Sequence, residues 1–258
     1  MMKTMVTYRF LLKTTLLVLI TLALAPWYFL LLLLFFRWRY RVGPKLVQFY
    51  SKACLRVLRV SIDQIKNSGT MEKLRKGALL LANHVSFLDI FVLSAEFGTV
   101  FLSKSEIKYY PIIGQIAWLM GVIFLNRDAS HERLRVLSTI AGRCTEQIIA
   151  VFPQGTTGSI ADRLPFSRGI FKVTELNPEI ALLPVTLFYK EDTAIAWKKP
   201  ESMRDNLLKV CSQDAIHVRI FIHKPVTIAD YRGRTASQVC RSVEKTVLEP
   251  LQKEYDID

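Results

Sequence analysis

Gly77-Ala78-Leu79-Leu80-Leu81-Ala82-Asn83-His84-Val85-Ser86-Phe87-Leu88-Asp89 is the stretch on which the reading of this chain turns. Gly77 to Ala82 is apolar, short and bounded by glycine and asparagine, the pattern of a buried strand. After Ser86 the residues read as helix to about Glu96. The same alternation continues downstream. Strands are expected at 99–102, 122–125, 148–152, 180–188 and 215–222, and a helix opens at Ser130 with Leu134, Leu137, Ile140, Ala141 and Cys144 at helical spacing. Thr235-x-x-Gln238 is a capping-box pattern that opens a last helix. This order predicts an α/β domain with a mixed, largely parallel sheet flanked by helices.

Upstream the chemistry changes. Positions 1–62 carry ten basic residues and no acidic one, whereas the remainder carries 25 basic and 22 acidic residues. Thr14 to Phe36 is uncharged and rich in leucine, and about 20 such residues suffice to cross a bilayer. It is too long for the apolar core of a signal peptide, about 7–15 residues, and ends in Leu-Phe-Phe before Arg37, Arg39 and Arg41. The denser basic flank follows the run, which places the body on the cytoplasmic face of the inner membrane. Pro26 leaves two geometries open: one membrane-embedded helix, kinked, or a helical hairpin that dips in and returns. After Gly43-Pro44, residues 45–60 read as an amphipathic helix on which Lys45, Lys52, Arg56 and Arg59 fall within roughly 60° of one another. Such a stripe suits an anionic membrane surface, or else faces water on a helix packed against the body. The chain therefore divides into an N-terminal membrane segment with a basic helix, 1–62, and a body, 63–258.

Several functions are excluded. The nearly neutral body argues against nucleic acid. Four scattered cysteines and four scattered histidines form neither a C-x-x-C nor an H-x-x-x-H pattern, so no metal site is expected. There is no G-x-G, P-loop or G-x-S-x-G. What remains is Asn83 to Asp89. His84 has the intrinsic pKa of a base at neutral pH, and Asp89 can fix its tautomer and stabilise the imidazolium. Residues five apart on an ideal helix point about 140° away from each other, so the pair meets only if His84 precedes the helix and Asp89 lies in its first turn. Ser86 fits there as N-cap. Ser86-x-x-Asp89 also reads as a capping box in which Asp89 only caps.

Asn83-His84-x-Ser86-x-x-Asp89 resembles the first motif of the 1-acylglycerol-3-phosphate acyltransferase family of glycerolipid acyltransferases. Further blocks follow in the family's order: Phe101-Leu102-Ser103-Lys104 with Pro111 and Gly114, Gly121 to Arg127, Phe152-Pro153-Gln154-Gly155-Thr156, and Leu183-Pro184-Val185. The resemblance covers residues 75–190 and marks the body as an acyltransferase domain. It implies transfer of a fatty acyl group, with no bound cofactor, from acyl-coenzyme A or acyl carrier protein to the free hydroxyl of a lyso-lipid. Lysophosphatidate leads as acceptor, and lyso-ornithine lipid or another lysophospholipid is the alternative. His84 is then the base and Asp89 its partner. Lys104, Arg127, Gln154, Gly155, Thr156 and Thr157 hold the head group. Two positions depart from the family's Phe-Pro-Glu-Gly-Thr-Arg: Gln154 replaces the glutamate and Thr157 the arginine. A non-catalytic, membrane-anchored lipid-binding protein is the reading of another class that these departures favour.

Overall fold

The structure is a computed structural model that describes residues 2–34, 39–66, 77–109, 114, 117–118, 121–126 and 130–255. Among the described residues seven strands form one sheet: β1 Val60–Lys66, β2 Ala78–Ala82, β3 Val100–Lys104, β4 Ile123–Leu125, β5 Ile148–Val151, β6 Leu182–Tyr189 and β7 Ile216–Ile222. The longer helices are α1 Met2–Leu34, α2 Arg39–Leu58, α3 Leu88–Phe97, α4 Ser130–Arg143, α5 Met203–Ser212 and α6 Ala236–Tyr255. The sheet order is β1-β7-β6-β2-β5-β3-β4, with every pairing parallel except β6 with β7. The expected mixed, largely parallel sheet is therefore present, and the strand that leads to His84 is its centre.

Strand periodicity explains how the centre is buried twice. Side chains alternate across a strand. Ala78, Leu80 and Ala82 of β2 join the core beneath α2, α3 and α5, while Leu79 and Leu81 join the core beneath α4 and α6. On α4 the inward residues are Val136, Leu137, Ile140 and Ala141, whereas Leu134, expected on that face, is 65% exposed. The capping box of α6 forms as the sequence indicates: Thr235 N–H donates to Gln238 Oε1 (2.8 Å) and Gln238 N–H to Thr235 Oγ1 (3.3 Å).

Of the two geometries left open at Pro26, the structure has the single helix: Pro26 lies inside one continuous helix and does not divide it. α1 and α2 pack against each other. Lys13 reaches Leu58 and Thr21 reaches Tyr50, so the partner number falls as the residue number rises and the helices run antiparallel. α2 begins before Gly43-Pro44 rather than after it and ends at Leu58, because Arg59 takes a left-handed conformation (φ 58°) that turns the chain into β1. The division expected at 62/63 falls within β1. α2 packs on α3, and Gln48 Nε2 caps the carbonyl of Ala95 (3.0 Å). Of the expected stripe, Lys45, Lys52 and Arg56 are exposed on α2, whereas Arg59, also exposed, lies beyond the helix and pairs with Asp214 (2.8 Å). Met5–Leu31 is long and apolar enough to cross a membrane, with mean hydropathy 2.0.

Lys13 interrupts that run and is nonetheless buried. Its Nζ donates to the carbonyls of Leu58 (2.9 Å), Gln213 (2.7 Å) and Asp214 (3.4 Å), at the C-terminal ends of α2 and α5. A cation at two helix C-termini is favourable both as donor and against the helix dipoles. Lys13→Met should therefore lower stability by about 1–3 kcal/mol, the cost of leaving buried acceptors unpaired. In detergent, limited proteolysis should cut α1 first and spare the sheet. Unaltered proteolysis would show that apolar packing of Phe10 and Leu17 alone holds α1 in place.

Candidate active site

β2 ends at Ala82, and five residues, Asn83 to Phe87, intervene before α3 begins at Leu88. This is the geometry that lets residues five apart meet. His84 Nδ1 lies 2.7 Å from Asp89 Oδ2. The same Oδ2 accepts the backbone N–H groups of Val85 (2.6 Å) and Ser86 (3.0 Å). Two backbone donors mark Oδ2 as an acceptor, so His84 Nδ1 is the donor of this bond, and in a neutral imidazole the lone pair is then on Nε2. Capping and orienting thus turn out to be one arrangement: the oxygen that satisfies the loop's amides also sets the histidine tautomer. Asp89 is fully buried, and the His84 side chain is 17% exposed.

Residues distant in sequence complete the frame. Tyr189, at the end of β6, donates its hydroxyl to Asp89 Oδ1 at 2.7 Å. Burial, and then the charge of Asp89, push the Tyr189 hydroxyl well above its usual range, so it stays a neutral donor. Asn206 of α5 accepts from Ser86 Oγ (2.9 Å) and donates to Ile195 C=O (2.7 Å). Ser86 is therefore engaged across the core rather than as the N-cap, a position taken by Phe87. Trp197 N–H donates to Val85 C=O at 2.8 Å. The Phe152 ring stacks on the His84 imidazole, centroids 3.8 Å apart and planes 6° apart.

The loop after β5 holds His84 by its backbone. Gln154 Oε1 accepts His84 N–H at 2.6 Å, and Gly158 N–H donates to His84 C=O at 3.1 Å. The loop turns through Gly155, whose φ of 71° favours glycine, with Gly155 N–H on Phe152 C=O at 3.0 Å. Thr156 and Thr157 follow, half-buried. Lys104 stands exposed at the end of β3, which runs parallel to β5 within the same sheet. Arg127 and Pro111 lie outside the described residues. Among the described residues no cluster of His, Cys, Asp or Glu could hold a metal. Tyr189 and Asn206 gave no sign in the sequence: one ends an apolar strand, the other sits mid-helix 120 residues from Ser86. The ionisable pair, the irregular helix start and the partly exposed imidazole form an arrangement able to take a proton from a hydroxyl.

The chain is similar to known proteins in sequence and in fold. Residues 60–187 match the family model described as Acyltransferase. A 1-acyl-sn-glycerol-3-phosphate acyltransferase of Neisseria gonorrhoeae is 32% identical over 136 residues, and the aligned stretch spans about half of both proteins, 52% of each. A lyso-ornithine lipid O-acyltransferase of Brucella abortus is 28% identical over 95% of both chains. The crystal structure of the 1-acyl-sn-glycerophosphate (LPA) acyltransferase PlsC from Thermotoga maritima superposes with a TM-score of 0.76 over 99% of this chain and 98% of that one; at 17% identity the likeness is one of fold. Through residues 60–187, which carry His84, Asp89 and the loop that holds His84, the chain belongs to the Acyltransferase family.

Proposed function

We propose that the protein is a membrane-bound O-acyltransferase that moves a fatty acyl group from acyl-coenzyme A or acyl carrier protein to the free hydroxyl of a lyso-lipid. The observation that carries this reading is Asp89 Oδ2 on His84 Nδ1 at 2.7 Å, which leaves Nε2 as the proton acceptor. The acceptor hydroxyl gives its proton to Nε2 as its oxygen attacks the thioester carbonyl carbon. The C–S bond then breaks, and the proton passes to the departing thiolate. Asp89 stabilises the imidazolium between these events. The acceptor is itself the nucleophile, so no acyl-enzyme is required. The apolar α1 and the exposed basic stripe of α2 support attachment to an anionic membrane at its cytoplasmic face, each cation near such a surface contributing about 1 kcal/mol.

Lysophosphatidate is the leading acceptor, with Lys104 and Arg127 neutralising its phosphate. Lyso-ornithine lipid is a second reading, favoured by Thr157 in place of a guanidinium and by the Brucella relative that aligns along 95% of both chains. The test is incubation of the purified protein with labelled acyl-coenzyme A or acyl carrier protein and a panel of lysophosphatidate, lyso-ornithine lipid and lysophosphatidylcholine. Product with none of them would leave a non-catalytic lipid-binding protein. A charge-assisted contact contributes roughly 1.5–3 kcal/mol, so with lysophosphatidate Arg127→Ala should lower kcat/KM about tenfold or more, and Thr157→Arg should improve its use. Tolerance of Arg127→Ala together with inactivation by Thr157→Arg would move the acceptor to the ornithine-lipid class, whose own amine a further cation repels.

A further inference from the structure

We infer that Gln154 is a positioning residue for His84 rather than a ligand of the lipid head group, and that an amide is required there by a carbonyl of this chain. Both ends of the side chain are engaged within the protein. Oε1 accepts His84 N–H at 2.6 Å, and Nε2 donates to Leu164 C=O at 3.0 Å. The neighbours fix the amide's orientation, because one is a backbone donor and the other a backbone acceptor. Turning the amide over would set N–H against N–H and oxygen against oxygen. The same loop takes the His84 carbonyl through Gly158 and stacks Phe152 on the ring. Gln154 therefore joins His84 to the segment that follows Arg163, itself turned by a left-handed φ of 45°.

A glutamate at this position, as in the motif the loop resembles, would keep the bond to His84 N–H. Its second oxygen would face the Leu164 carbonyl, acceptor against acceptor. Only protonation relieves this, since a carboxylic O–H can donate where a carboxylate cannot. In Gln154→Glu the folded-state pKa of the new carboxyl should thus lie above the unfolded value of about 4.3. An acid whose pKa is raised by folding costs nothing below its unfolded pKa; its cost grows as pH rises from the unfolded to the folded pKa and is complete above the latter. The titratable groups around the loop are His84 and Asp89 on the β2 side, Asp162 with Lys198 at the turn, Asp192 behind Ile160, and Glu244 of α6 at Phe166. All are shared with the parent chain, which serves as the reference at each pH.

The inference concerns the site already assigned to acyl transfer, and its first readout does not depend on that assignment. Thermal unfolding of the full chain in detergent should show Gln154→Glu melting below the parent at about pH 8, with the gap closing towards about pH 5. Gln154→Met, of similar size but without polar ends, should show a gap that does not vary with pH. In transfer assays both variants should lose about tenfold or more in kcat, with the KM of the acceptor within about twofold of the parent, because the base is misplaced and the head group still binds. Activity of Gln154→Glu relative to the parent should recover as pH falls. A Gln154→Glu protein as stable and active as the parent throughout would overturn the inference. So would Gln154→Met that raises the acceptor KM and leaves kcat intact. Should Gln154→Glu not fold at any pH, the kcat and KM of Gln154→Met decide. A parent chain without transfer activity sinks the acyltransferase reading, and the melting curves still decide the role of Gln154.

Discussion

Asp89→Asn should lower kcat for acyl transfer by about three to four orders of magnitude while the fold survives. The two halves of that expectation come from different bonds. The side-chain amide of this variant can keep its oxygen on the N–H groups of Val85 and Ser86 and on His84 Nδ1, and the Tyr189 hydroxyl can rotate to accept from the new NH2 group. What disappears is the negative charge, buried beside the imidazole, that stabilises it once protonated. Asp89→Ala is different. It leaves two backbone N–H groups and a buried phenol unpaired, at about 1–3 kcal/mol for each group. Steady-state kinetics alongside thermal unfolding separate the two roles. A loss below tenfold in Asp89→Asn would mean that Asp89 serves the backbone alone.

The sequence makes much of this site legible and conceals the rest for identifiable reasons. The motif from Asn83 to Asp89 shows both partners of the pair, but one-dimensional reasoning treats capping and orienting as rivals. They cease to be rivals only when one oxygen is seen to accept from the ring and from two amides. The central strands are legible because they are apolar on both faces. β1 is not, because it is an edge strand whose Ser61, Asp63 and Gln64 face solvent, so its sequence lacks a buried stripe. Gly43-Pro44 reads as a break, yet Pro44 is absorbed within a helix, as is Pro26, where the sequence leaves a kink and a break both open. Leu134 satisfies helical spacing and still faces outward, since periodicity gives a face and not its edges. Gln154 reads as lost chemistry until the Leu164 carbonyl supplies a reason for an amide.

His84→Ala is the second large effect. General-base catalysis contributes about 10²- to 10⁴-fold, and an alanine side chain cannot accept a proton. The fold should tolerate the change. The side chain contributes one hydrogen bond and one ring stack, whereas the backbone of residue 84 is held by Gln154 and Gly158 whatever its side chain. Melting should therefore shift little, by about 1 kcal/mol of stability. Asp89 keeps its two backbone donors and Tyr189, so the vacated site does not hold an unpaired carboxylate.

The most direct measurement is the rate of labelled acyl transfer by the parent and by His84→Ala, in detergent, with the lyso-lipid the parent acylates best. The expected result is a fall of about 10²-fold or more with a nearly unchanged melting curve. Turnover by His84→Ala equal to that of the parent would contradict the assignment of His84 as the base.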